Sequence, residues 1–161
     1  MMKVEPQPQH RWLAKLVGEW TYEGEALMGP GKPPEKFRGS ETVRTLGEIW
    51  TLFEGRGEMP GGAPATMLIT LGFDPERDRF TGTWIGSMMT HLWHYDGALD
   101  ASQKVLTLES EGPSMAGDGK LAKYRDVIEV QSDNERTLTS LALDANGEWQ
   151  RFMTATYRRK R

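Results

Sequence analysis

The chain has 161 residues, a formal net charge of −3 and no cysteine. That length supports one sizeable core, the mild acidity leaves no electrostatic footprint for nucleic acid, and the missing thiols exclude disulfides, thiolate ligands and a cysteine nucleophile. No apolar run approaches the roughly 18 residues that would span a bilayer, so neither nucleic acid nor membrane is an expected partner.

Residues 1–9 are polar and proline-bearing and read as a flexible N-terminal segment, with 10–161 as a single β-barrel domain. The start, Met1 to Pro8, lacks the apolar stretch of a signal peptide, and with the absence of cysteine this predicts a cytoplasmic protein. His10 to Val17 places Trp12, Leu13, Leu16 and Val17 on one helical face. So short a helix must dock to persist, as a lid on a barrel mouth, and Gly18 ends it.

From Glu19 the apolar period changes to two, and turn signals recur about every ten residues. The predicted strands are Thr21–Leu27, Lys36–Leu46, Ile49–Glu58, Thr66–Phe73, Arg79–Ser87, His91–Leu99, Lys104–Glu111, Lys120–Val130, Arg136–Leu143 and Glu148–Tyr157. Pro75 suits a type I turn, and Asn146-Gly147 is a hairpin signal. About ten sequential hairpin-linked strands predict an all-β, antiparallel up-and-down barrel with a short N-terminal helix, because closure removes exposed edges. Such a barrel can hold one small ligand.

Gly82 to Gly97 is the densest run of unusual side chains, with Trp84, Met88, Met89, His91, Trp93, His94 and Tyr95. Alternation puts His91, Trp93 and Tyr95 on one face, the expected interior, and Leu92, His94 and Asp96 on the other. His91 and His94 therefore point oppositely, and no zinc site is expected from them. His94 beside Asp96 reads as a solvated pair, and His10 as a surface residue. Met88 and Met89 fall at the turn and suit either a core filler or an apolar ligand wall.

Tyr124 and Asp126 share a face opposite Arg125. With Tyr124 and Asp126 inside, a buried carboxylate near His91 could act as acid or base. With Arg125 inside, it could hold a carboxylate head group. Glu54, Arg56 and Glu58 read as a charged outer rim. No phosphate loop opens a helix and no Gly-x-Ser-x-Gly elbow occurs.

Leu16-Val17-Gly18-Glu19-Trp20-Thr21-Tyr22-Glu23-Gly24-Glu25 resembles the entrance of calycin barrels. In lipocalins that Trp packs across the barrel floor near a basic residue from late in the chain, a part Arg151, Arg158 or Arg159 could play. The same stretch is similar to nitrobindin-like haem barrels, whose axial histidine lies late; the last strand here has Met153 and no His. With Gly55 to Gly62, Gly82 to Gly97 and Ala122-Lys123-Tyr124-Arg125-Asp126, nearly the whole chain resembles the bacterial domain of unknown function 1579 family. That resemblance implies a calycin-like barrel and no established activity.

Three functional readings follow. The first is a non-enzymatic binding barrel for a small apolar or amphipathic molecule, lined by Trp20, Trp84, Met88, His91, Trp93, Tyr95, Tyr124 and Asp126 and needing no cofactor; haem on His91 is its narrow version. The second is an enzyme using His91 with Asp126 or Tyr124 as an acid–base pair. The third is a barrel filled by side chains, acting through its surface or as a homodimer.

Overall fold

The structure is a computed structural model that describes residues 4–161. Of the segment 1–9, Met1 to Lys3 lie outside the described residues, and Pro8 and Gln9 form the first turn of the helix. Helix α1 spans Pro8–Ala14, and ten strands follow: β1 Gly18–Ala26, β2 Glu35–Leu46, β3 Trp50–Glu58, β4 Pro64–Asp74, β5 Arg79–Gly86, β6 Met89–Leu99, β7 Val105–Pro113, β8 Leu121–Ser132, β9 Glu135–Leu143 and β10 Trp149–Arg159. Every strand pairs antiparallel with its sequence neighbours, and β1 also pairs with β10, closing the barrel. Among the described residues no helix is long and apolar enough to cross a membrane.

The two-residue period decides what fills the interior. Trp20 and Tyr22, Val43, Phe53, Leu71, Phe80, Tyr95, Leu106 and Leu108, Ile128, Ala155 and Tyr157 point inward from successive strands and form one buried cluster. At the register shift between Trp84 and Gly86 the extra residues lie on β6, which runs from Trp93 to Met89 over the same span, and at the shift between Arg151 and Met153 the extra residue lies on β10.

The helix closes one end. Trp12, Leu13 and Leu16 are buried there, and the Trp12 indole N–H donates to the Gln103 carbonyl at 2.7 Å. The helix ends at Ala14, four residues before Gly18. Pro8 at its first position suits a helix start, since proline lacks an N–H the first turn would leave unpaired.

His10 is a correction to the sequence reading, being 5% exposed rather than a surface residue. Its Nδ1 accepts the Gln7 backbone N–H at 2.8 Å, so Nε2 carries the proton and donates to the Phe73 carbonyl at 3.0 Å. Packed edge-on to the Phe73 ring, it fastens the helix to β4.

Candidate ligand-binding site

At the helix-capped floor, Trp20 is 1% exposed and donates its indole N–H to the Leu16 carbonyl at 2.9 Å. Arg159 stacks on its ring at 4.3 Å and also donates to the carbonyls of Lys15 and Val17, just past the helix. Of the three late arginines, Arg159 is therefore the one at the floor; Arg158 pairs outside with Glu23 and Glu135.

A second arginine, absent from the sequence reading, meets the same tryptophan. Arg136 enters from β9, ion-pairs with Glu41 of β2, and lies 4.6 Å from the Trp20 ring and 4.2 Å from that of Tyr157. Burial pushes the Glu41 carboxyl up while Arg136 pulls it down. The Tyr157 and Tyr22 hydroxyls are raised, first by burial and then by the nearby Glu41 charge. Tyr22 lies across Gly39 and Gly57, where any β-carbon would meet its hydroxyl.

One layer further from the floor, Tyr124 and Asp126 face inward and Arg125 faces out, stacked on Trp149 at 4.0 Å and paired with Glu109. Asp126 accepts the Tyr95 hydroxyl on one carboxylate oxygen and the Ser140 hydroxyl on the other, the latter at 2.6 Å. Burial raises the Asp126 carboxyl above its usual range, against these two donors. The Tyr95 hydroxyl is raised well above ordinary tyrosine by its burial and then by the Asp126 charge. Between the two polar groups lies a void of about 10 Å³, lined by Glu41, Arg136, Tyr95, Asp126 and Tyr157 with Phe53, Ile69, Leu71, Leu108, Ile128 and Leu138. That is room for about one water.

The open end, opposite the helix, is aromatic and methionine-rich. His91, Trp93, Tyr124 and Phe152 form a run of edge-to-face rings with centroids 4.7, 5.1 and 6.1 Å apart. Trp93 on β6 reaches Tyr124 on β8 across β7 because Gly112 has no side chain; a β-carbon there would strike the indole. Trp93 donates its indole N–H to the Met89 sulfur at 3.1 Å, and Trp84 and the Met88 sulfur both cover Gly86. The loops β1–β2, β3–β4, β5–β6 and β7–β8 at this end carry Met28, Met59, Met88 and Met115 in turn.

The eight residues proposed from sequence thus fall into three places: Trp20 at the floor, Tyr95 with Asp126 at the centre, and Trp84, Met88, His91, Trp93 and Tyr124 at the open end. His91 bonds the Glu111 carbonyl, Tyr124 the Pro113 carbonyl, and Asp126 the Tyr95 and Ser140 hydroxyls. The geometry therefore joins His91 to neither of its suggested acid–base partners. Haem does not fit these residues either, since His91 spends a ring nitrogen on Glu111 beside Trp93 and the central void is water-sized. His94 is exposed, and Asp96 pairs instead with Arg79 at 3.0 Å and Arg77 at 3.3 Å.

The model of a family described as "Protein of unknown function (DUF1579)" matches residues 5–159. The chain belongs to this family. Among curated proteins none matches it. Solved structures similar to this family member include Rv2717c from M. tuberculosis, 14% identical with a TM-score of 0.63, covering 98% of this chain and 100% of that one. The S-type phycobiliprotein lyase CPES from Guillardia theta is 10% identical with a TM-score of 0.62, over 96% and 94% of the two chains. EF1p2_mFAP2b bound to DFHBI is 11% identical with a TM-score of 0.51, over 94% and 98%. These likenesses show the barrel fold.

Proposed function

We propose that the barrel binds a small amphipathic molecule, admitted at the end opposite α1, with its polar part at the central Tyr95–Asp126–Ser140 and Glu41–Arg136 groups. The observation that carries this is the polar centre itself. Placing two carboxylates and a guanidinium inside a barrel this size costs several kcal/mol per ion in desolvation, and apolar side chains would fill the same space without that cost. Polar groups converging at the bottom of an aromatic and methionine-lined approach are the usual make-up of a small-molecule site. Methionines at the open end add adaptable apolar surface for admitting a guest. EF1p2_mFAP2b, a protein of similar fold, binds the small molecule DFHBI. Entry requires side chains around the central void to shift, since that void holds only about one water.

The test is titration with Nile red, a neutral dye that brightens on leaving water. Saturable one-to-one brightening is expected, weakened by Trp84→Ala and Trp93→Ala and unchanged by Trp50→Ala on the outer wall. Brightening that does not saturate, or that Trp50→Ala alters as much as the inner variants do, would overturn the reading.

A further inference from the structure

We propose that the polar end of the ligand is a cation, a protonated amine on a small aromatic or apolar body, seated in the central void against Asp126. This rests on the binding reading above and names the class of molecule bound.

With Asp126 ionised, the charges around the void do not balance. Glu41 and Asp126 bring two carboxylates, and Arg136 brings one guanidinium. Arg136 pairs with Glu41 through one terminal guanidinium nitrogen and leaves its buried Nε without a hydrogen-bond partner among the described residues, and the rings of Trp20 and Tyr157 lie against it at 4.6 and 4.2 Å. Asp126 has only neutral partners, the hydroxyls of Tyr95 and Ser140, one on each carboxylate oxygen. Each oxygen keeps a lone pair for another donor. A cation supplies that donor and the missing charge together.

Shape and surroundings agree with the charge count. The rings of Phe53, Tyr95 and Tyr157 line the void beside the carboxylates, and aromatic faces attract cations. A space of about 10 Å³ takes an ammonium group, which is close to water in size, but not the three heavy atoms of a carboxylate. An anionic head would also face two carboxylates at once. Ile69 and Leu138 line the void, and Met67 and Met153 pack against the same core from the same strand faces nearer the open end. A ligand's apolar body bound along that course would displace these side chains, since the void itself is water-sized.

The experiment is calorimetric titration of three probes with one body and different heads: naphthylmethylamine, naphthylmethanol and naphthoate, at neutral pH. The expected order of affinity is amine, then alcohol, then carboxylate. Asp126→Asn should weaken the amine by roughly 10- to 100-fold, the range for a hydrogen bond to a charged group, and leave the alcohol nearly unchanged. Alcohol or carboxylate binding as tightly as the amine would overturn the cation assignment while leaving the binding reading in place. An amine preference that survives Asp126→Asn would place the cation elsewhere and overturn it too. Failure of all three probes to bind would overturn the binding reading, and this inference with it. The head-group order in the unaltered protein decides the matter even where Asp126→Asn does not fold.

Discussion

Arg136 and Glu41, 95 residues apart in the chain, form an ion pair inside the barrel, where they are 2% and 5% exposed. Removing one partner strands the other charge in a low-dielectric interior. Arg136→Met or Glu41→Leu alone should therefore cost about 3–5 kcal/mol. The double variant Glu41→Leu, Arg136→Met should recover much of that loss, because no buried charge remains. Urea unfolding of the two singles and the double checks this, and additive losses would contradict it.

Asp126 gives a pH signature with a definite sign. Its folded-state pKa is raised by burial, so the folded state holds the proton more tightly than the unfolded chain. The resulting stability is complete below about pH 3.9, the ordinary aspartate value, and is lost as pH rises through the folded-state pKa. Asp126→Asn keeps a polar group for Tyr95 and Ser140 but cannot ionise. The melting temperature of the variant relative to wild type should therefore climb as pH rises from 4 toward neutrality. A difference that stays flat or falls would show that Asp126 does not titrate as a buried acid.

Much of the barrel was legible in the sequence because strand alternation and turn residues act locally. The ten strands fall within a few residues of where Gly, Pro, Asn and Asp punctuate the chain; that His91, Trp93 and Tyr95 share a face follows from parity, and their aromatic character marks that face as the inward one. The helix begins two residues before His10 and stops short of Gly18, since the residues packing it, Phe73 and Gln103, are remote in sequence. Tyr124 and Asp126 could not be oriented, because apolar neighbours on both faces, Ile128 and Val127, pull the strand each way. Glu41 and Arg136 carried a usable signal: each is in phase with inward residues, Val43 for one and Leu138 for the other. That they meet depends on barrel closure, which no local pattern encodes.

Gly112 makes room for Trp93, so a methyl group there collides with the indole. Gly112→Ala should cost about 1–3 kcal/mol, as overpacking usually does. In a Trp93→Leu background the same change should cost little, since the ring is gone. A thermal-melt cycle over the four proteins measures the coupling. Equal costs in both backgrounds would refute the contact.

Arg159 ties β10 to the chain just past the helix through the carbonyls of Lys15 and Val17 and through the face of Trp20. Arg159→Met should cost about 1.5–3 kcal/mol, the range for hydrogen bonds to a charged group. The loss should appear as faster amide exchange from Leu13 to Val17 while the mid-barrel strands stay protected. Exchange that rises evenly over the whole barrel would assign Arg159 a global role instead.

The most direct test of the account is the proton–nitrogen spectrum of the indole groups of the six tryptophans during titration with the naphthalene probes. Trp12 and Trp20 sit at the floor, Trp50 and Trp149 on the outer wall, and Trp84 and Trp93 at the open end. Binding inside the barrel through that end predicts saturable shifts of Trp84 and Trp93, with Trp50 and Trp149 unmoved. Shifts confined to Trp50 or Trp149, or six unmoved indoles, would contradict an interior binding site.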